Sequence, residues 1–379
     1  MEAYQGSFNL LNPTVNLRRL IILHSLTIRF LTYKMIIVTK FQILVRTGTA
    51  GGPEGPPLIF FLRSFSNMPK PYLPYGKQIQ KLINDKGLII KDVNFAERML
   101  TDIGYFSLIG GYKNLFINPM TRKYVGGTTF EDVLALYHFD EELRALTFKY
   151  LIKVEQKIRQ LISDSFCASF GENQSQYLSP VNYNQSPKLS HDVTKLISIL
   201  DYHANKNTEK TYLVHQRKVY GNVPLWVTTK ILTFGQLSKF YGLLQHRQQS
   251  MISKAYTNVS EKALGQYLGC LTLFRNVCAH NERLFSHNLV QREFPDTTIH
   301  KKMNLPMTGS MYSIGKRDYF GLVIAFRYLL RRDEFLQYKR SLKKLIDQYC
   351  KKSQRLTKSD LLDQMGLPSD WENITRYKI

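Results

Sequence analysis

Cysteine is scarce in this sequence of 379 residues, and its few copies follow no paired spacing. That excludes a disulfide framework and favours reduced thiols, as in cytosolic proteins. The cysteines are Cys167, Cys270, Cys278 and Cys350. An alternative zinc site would use Cys270, Cys278, His280 and His287, but this spacing matches none of the usual patterns of zinc ligands. We therefore predict no metal ion and no cofactor.

Long uninterrupted apolar runs are also missing. The apolar region 17–45 is interrupted by Arg18, Arg19, Arg29, Lys34 and Lys40. No run approaches the ~20 residues that a membrane-spanning helix needs. The sequence predicts a cytoplasmic protein without a membrane segment.

Acidic residues are outnumbered by basic ones, 29 against 52, which gives a formal net charge of +23. The excess is spread along the chain, so we expect a broad basic surface. Such a surface most often binds nucleic acid, because each neutralised phosphate releases counterions. An anionic membrane surface and simple solubility are the alternatives.

Residues 1–67 differ from the rest of the chain. Their hydrophobic periodicity is poor, and a stretch rich in glycine and proline at 51–57 would end any helix. From Met68 onward the sequence has the pattern of a helical protein. We predict that the natural protein begins at Met68, and that residues 1–67 are an extension that is not native or is disordered.

After Met68 we find no convincing β alternation, so the sequence predicts an all-α fold. Thr129 is the predicted cap of one helix, and a second helix follows over 141–170. Further helices are predicted within 76–118 and at 189–205, 226–245, 260–287, 316–331, 333–350 and 361–371, with loops at 171–188 and 293–310. We divide this part of the chain into an N-terminal helical segment (68–125), a core (126–290) and a C-terminal helical segment (291–379).

The most informative stretch is 275–280. Arg275, Asn276 and His280 lie within about one and a half turns of a predicted helix. When residues 268–285 are projected as a helix, these side chains and Arg283 lie opposite an arc of apolar residues. Guanidinium and amide groups bind phosphodiesters, and an imidazole moves protons near neutral pH.

Further blocks surround this stretch in a fixed order, at 70–75, 79–89, 102–112, 130–144, 155–159, 224–238 and 366–371. Together with Arg275-Asn276-x-x-Ala279-His280, they resemble the AbiD/AbiF-type abortive-infection proteins of bacteria, a branch of the HEPN superfamily. The stretch fits the superfamily's signature of an arginine, a short gap and a histidine. The chain departs from the commoner family pattern at Asn281 and His287, where histidine and asparagine are more usual.

The resemblance implies an all-α, HEPN-type helical bundle with additional N- and C-terminal helices. It also implies a metal-independent endoribonuclease of an anti-phage, toxin-like system, in which the RNA 2′-OH attacks and leaves 2′,3′-cyclic phosphate and 5′-OH ends. The expected catalytic residues are Arg275, His280 and Asn276, and the expected substrate-binding residues are Arg283, Glu155 and Arg159. One motif histidine per chain predicts a homodimer with a composite active site. A neutralising partner encoded nearby is expected for a toxic nuclease.

Structural alternatives accompany each of these residues. His280 is alternatively a histidine at the edge of the core, and Arg275 a structural ion-pair partner. Glu155 and Arg159, four residues apart, form an intrahelical pair in the alternative interpretation. For the whole chain, the alternative function is a non-catalytic RNA-binding or interaction module of a defence ribonucleoprotein.

Overall fold

The computed structural model describes residues 71–353 and 355–379. The predictions made for residues 1–67 and for a start at Met68 lie outside the described residues. Pro74–Ile379 form one structural unit whose regular secondary structure is helical apart from one small hairpin, which confirms the predicted all-α fold. The division into segments 68–125, 126–290 and 291–379 stays a prediction. None of the helices in the described part of the chain is long and apolar enough to cross a bilayer.

The α-helices follow one another along the chain, with the longest connections before α3, α11 and α12. They are α1 (Tyr75–Asn84), α2 (Val93–Ile103), α3 (Phe130–Phe170), α4 (Gln174–Tyr177), α5 (Ser190–Asp201), α6 (Thr211–Tyr220), α7 (Leu225–Thr228), α8 (Phe234–Leu243), α9 (His246–Ser253), α10 (Glu261–Ala279), α11 (Thr298–Lys302), α12 (Tyr319–Leu329), α13 (Arg332–Lys352) and α14 (Lys358–Met365).

Shorter elements fill the connections. The 3-10 segments are Lys113–Leu115, Pro180–Asn182, Pro187–Leu189, Thr229–Ile231 and Trp371–Thr375, and the π-helical turns are Phe106–Gly110 and Tyr202–Lys206. The strands β1 (Met307–Thr308) and β2 (Met311–Tyr312) form a small antiparallel hairpin in a region predicted to be a loop.

The longest helix, α3, replaces the two helices that the sequence predicted. Thr129 caps its start as expected: the Thr129 hydroxyl accepts the Asp132 N–H at 3.2 Å, and the Asp132 carboxylate accepts the Thr129 N–H at 2.8 Å. No glycine or proline interrupts the following residues, so the helix continues for 41 residues and ends before Gly171, at φ +87°. Its length is about 60 Å.

Helix α3 is the central element of the core, because α7, α8, α9, α10 and α13 all pack against it. Four apolar residues that recur along one face of α3 are fully buried: Leu143, Tyr150, Val154 and Ile158. Leu146 and Leu161 are partly buried beside them. Burying each such side chain stabilises the fold by about 1.5–3 kcal/mol.

Helices α6 and α9 were not predicted from the sequence. The only fully buried residue of α6 is Leu213, and the buried set of α9 includes the polar Gln248 and Ser253. A short helix with so few buried apolar residues has little hydrophobic periodicity for a sequence pattern to detect.

Gly366 and Gly221 offer a matched test of how α14 is held in the unit. Each ends a helix with a left-handed backbone, at φ +67° and +64°. A Cβ on Gly366 would lie 2.5 Å from Cγ of Asp318, whereas a Cβ on Gly221 would have no neighbour within 4 Å. The Asp318 carboxylate accepts the Gly321 N–H at the start of α12 at 2.9 Å.

We therefore expect Gly221→Ala to lower the free energy of unfolding by about 1–2 kcal/mol through backbone strain alone. Gly366→Ala should cost a further ~1–3 kcal/mol, because the added methyl must displace Asp318. Urea denaturation of both variants measures the difference. Equal losses would contradict the contact between Gly366 and Asp318.

Candidate functional site

Helix α10 carries the motif and ends at Ala279, so the predicted helix over 260–287 is too long. The chain turns at Asn281, whose φ is +56°. Two bonds close the end: the His280 N–H donates to Asn276 O at 2.9 Å, and the Glu282 N–H donates to Val277 O at 3.0 Å. This is a Schellman termination, in which asparagine tolerates the left-handed conformation.

The residues after the turn do not continue the helix, because their backbone amides donate hydrogen bonds to a side-chain carboxylate. Asp140 Oδ2 accepts the Leu284 N–H at 2.9 Å, and Asp140 Oδ1 accepts the Phe285 N–H at 2.7 Å. An N–H bonded to a side chain is not available for the i−4 carbonyl of a continuing helix. The projection of 268–285 as one helix is therefore wrong beyond His280, and Arg283 does not lie on the face of α10.

Asp140 is the centre of a buried polar cluster. It is 0% exposed and Arg144 is 4% exposed. Asp140 Oδ2 accepts the Tyr112 hydroxyl at 2.7 Å and Arg144 Nη1 at 2.8 Å. Arg144 Nη1 also donates to the Glu282 carbonyl at 3.3 Å. The cluster thus ties α3 to the residues that come directly after the turn at Asn281.

Burial raises the pKa of the Asp140 carboxyl, and its donors act against that rise. Every polar neighbour of this carboxyl donates a hydrogen bond and none accepts one, so the geometry fits the carboxylate. Asp140 also raises the pKa of Arg144, against the effect of burial. Asp140 and Arg144 therefore form a buried ion pair, in which both carboxylate oxygens accept hydrogen bonds.

The sequence reasoning placed Tyr112, Asp140 and Arg144 inside family-like blocks but gave them no role. The available signal was the spacing of Asp140 and Arg144, four residues apart on a helix that is otherwise apolar on that side. Tyr112 and the partner amides lie far away in sequence, so only the tertiary structure reveals what the pair holds.

Arg275 is half-buried on α10 and stands against α3. Its guanidinium carbon lies 5.9 Å from the centroid of the Phe148 ring, a cation–π distance. Its Nε is buried without a hydrogen-bond partner. No acidic side chain in the described ranges pairs with it, so the ion-pair alternative for Arg275 finds no support.

Asn276 and His280 follow on the same side of α10, one turn apart. Asn276 is half-buried and His280 is exposed. Neither side chain has a hydrogen bond to another described residue. The alternative of a core-edge histidine is therefore not supported, and the imidazole is free to meet a ligand.

Arg283 and His287 have structural contacts close to the motif. Arg283 Nη1 donates to the Gly111 carbonyl at 2.7 Å, which anchors the turn to the segment after α2. The ring of His287 stands edge-on to Phe274 at 5.2 Å. Burial lowers the pKa of His287, which favours its neutral form. A substrate-binding role for Arg283 stays a prediction.

Glu155 and Arg159 form the intrahelical pair that the alternative interpretation described, with Arg159 Nη2 2.6 Å from Glu155 Oε1. Arg159 also donates from Nε to the Thr229 carbonyl at 3.0 Å and from Nη2 to the Leu232 carbonyl at 3.3 Å. The pair therefore joins α3 to the connection before α8. Its role in substrate binding stays a prediction.

The cysteines and histidines of the zinc alternative are not brought together. Within 71–353 and 355–379, no group of three or more His, Cys, Asp or Glu side chains is arranged as a metal-ligand set. Burial raises the pKa of Cys270 and of Cys278 to about 12. Both groups therefore stay as thiols at neutral pH, and neither is a ready nucleophile.

Comparison with known proteins assigns this arrangement to a family. The family model described as Abi-like protein matches residues 98–286, which include the motif, the turn after it and the whole Asp140 cluster. The chain belongs to the Abi-like protein family. It is therefore an abortive-infection protein. No curated protein sequence and no solved structure matches this Abi-like protein significantly.

Asp140→Asn tests whether the cluster holds the turn of the Abi-like protein. An amide cannot accept all four donors, and it leaves Arg144 buried without a counter-charge. We expect a loss of about 3–5 kcal/mol in the free energy of unfolding, measured with urea.

Glu141→Gln is the matched control, because Glu141 is the next residue of α3 and its side chain is exposed. It should change the free energy of unfolding by no more than about 0.5 kcal/mol. A similar loss in both variants would contradict a special role for Asp140.

Proposed function

We propose that this Abi-like protein is a metal-independent endoribonuclease of a bacterial anti-phage system. One observation carries the proposal: α10 ends with an exposed imidazole, His280, about one and a half turns after a guanidinium, Arg275, that has no anionic partner. Partly burying a cation without a counter-charge raises the free energy of the folded protein, unless an anionic ligand completes the site. A phosphodiester is such a ligand.

RNA suits this pair of groups because it carries its own nucleophile, the 2′-OH. The protein then needs to move protons and to stabilise the charge that develops on the phosphate. In the proposed reaction His280 takes or gives the proton, and the 2′-oxygen attacks the phosphorus while the bond to the 5′-oxygen breaks. The products are a 2′,3′-cyclic phosphate and a 5′-OH end.

Arg275 and Asn276 have supporting roles in this scheme. The planar guanidinium of Arg275 binds two phosphate oxygens at once and stabilises their added charge in the transition state. Asn276, one turn before His280, orients the imidazole or the scissile phosphate. Of the donors of Arg283, Nη1 serves Gly111, and the rest of this guanidinium would bind a flanking phosphate.

The open position of the site supports the proposed homodimer. In-line cleavage uses both a base and an acid, and the motif supplies one histidine per chain. His280 lies at an exposed helix end, where a second copy of the chain can reach it. Two copies of α10 facing each other would supply two histidines to one composite site, within the proposed HEPN-type bundle.

The proposed biological role is to degrade RNA in the cytoplasm of an infected cell. The net charge of +23 gives the substrate a generally attractive surface. Such an enzyme needs restraint in uninfected cells, and a neutralising RNA or protein encoded nearby would supply it. The competing proposal is an RNA-binding module of a defence ribonucleoprotein, in which Arg275 and His280 bind without cleaving.

His280→Ala tests the enzyme. Purified protein incubated with total RNA in EDTA should cleave it, and the variant should lose a factor of about 10²–10⁴ in rate, because the proton transfer is lost. His191→Ala, which removes an exposed histidine on α5, should cleave normally. Tight RNA binding without cleavage by the wild type would favour the binding module instead.

Mixing wild-type and His280→Ala subunits tests the composite site. If each site needs both histidines, randomly exchanged dimers should show activity that follows the square of the wild-type fraction. Mixtures with His191→Ala should keep full activity. Activity in simple proportion to the wild-type fraction would contradict a shared site.

A further inference from the structure

A cavity of about 660 Å³ lies away from the motif. Its walls come from α3, from the segment after α9, from the junction of α12 and α13, and from the last residues of the chain. Neither Arg275 nor His280 lines it. The volume is within the range of about 300–1,000 Å³ that is usual for ligand pockets.

The lining of this cavity, which we name the basic pocket, is strongly cationic. Its charged side chains are Lys157, Arg327, Arg331, Arg332, Arg376 and Lys378. No acidic side chain of a described residue lines the pocket. The pocket therefore concentrates positive charge in a small concave volume.

Most of these cations have no anionic partner. Arg331 is the exception, since it pairs with Asp333 at 3.2 Å and with Glu334 at 3.5 Å. Arg332 and Lys378 are exposed at the rim, as is Arg376, and within the described part of the chain their side chains form no ion pair. Rim charges of this kind are available to an incoming anion.

Two further cations lie deeper, against aromatic rings. Lys157 Nζ is 4.1 Å from the centroid of the Tyr256 ring, and the Arg327 guanidinium is 5.6 Å from that of Phe335. Neither cation forms an ion pair with an acidic side chain of the described residues, so an incoming anion would meet both without a counter-charge.

The cations of the pocket also destabilise one another. Burial and then the charge of Arg332 lower the pKa of Arg327. Burial lowers the pKa of Lys157, the charge of Glu334 acts against this effect, and the charge of Arg331 adds to it. A bound anion would relieve both the repulsion and the loss of hydration.

We propose that the basic pocket binds the phosphate groups of a nucleotide, either free as a nucleoside polyphosphate or within an RNA strand. Several clustered cations match a polyanion, and the arginine forks match phosphate oxygens. Tyr377, a half-buried residue of the lining, offers a ring on which a base can stack. The proposal does not rest on the nuclease activity, because Arg275 and His280 are not in the pocket.

The test measures binding to the full chain by fluorescence anisotropy, with a fluorescent ATP analogue and with a labelled RNA oligonucleotide. His280→Ala protein serves as the background, so that cleavage cannot change the RNA signal. In this background, the pocket variant carries Arg332→Gln and Arg376→Gln, both at exposed positions. The control carries Lys351→Gln and Lys352→Gln, which remove the same charge from the exposed far end of α13.

We expect the pocket variant to bind at least one probe about tenfold or more weakly, because two charged contacts to phosphate are lost. The control should change affinity by less than about twofold. Inorganic tripolyphosphate should compete with the bound probe and adenosine should not. A selective loss for the ATP analogue identifies a free nucleotide as the ligand, and a selective loss for the RNA identifies strand phosphates. Equal losses in both variants, or no binding of either probe, would overturn the proposal.

Discussion

The carboxylate of Asp140 is the group on which the geometry of the candidate site depends. It lies inside the protein with its oxygens bonded to Tyr112, Arg144 and the amides of Leu284 and Phe285. Because those amides are held by α3, the chain must leave the helical path after Ala279. His280 consequently stands at a helix end, where its ring is open to solvent. A buried charge thus decides where a surface imidazole lies.

Four buried or partly buried arginines fall into two groups with different physical roles. Arg144 and Arg159 lie in the interior, where each is matched by a carboxylate four residues earlier and by backbone carbonyls. Arg275 and Arg327 are also partly buried but meet aromatic rings instead of anions. Removing a cation from water without a counter-charge is unfavourable, so the second group supports the two proposed sites for anionic ligands, at the motif and in the basic pocket.

Much of the secondary structure could be predicted because apolar residues on α3 and α13 recur with the helical period. That pattern does not predict that α3 is one helix instead of two, or that α10 ends at Ala279. The first depended on the absence of a breaker between the two stretches. The second depended on Asn281 and on Asp140, which lies more than a hundred residues away in the chain. Helices α6 and α9 escaped prediction because they bury few apolar side chains.

The sequence by itself determined the all-α class, the family and the three residues of the motif, since these are local patterns of residue type and spacing. Only the tertiary structure decided which charges have partners. In the structure Arg275 has no anionic partner among the described residues. Arg159 bonds to Glu155 and to two carbonyls, and Arg283 does not lie on the face of α10. Spacing along a helix shows which side chains share a face, but the partners of a buried charge come from other parts of the chain. Those partners are fixed only when distant elements pack together.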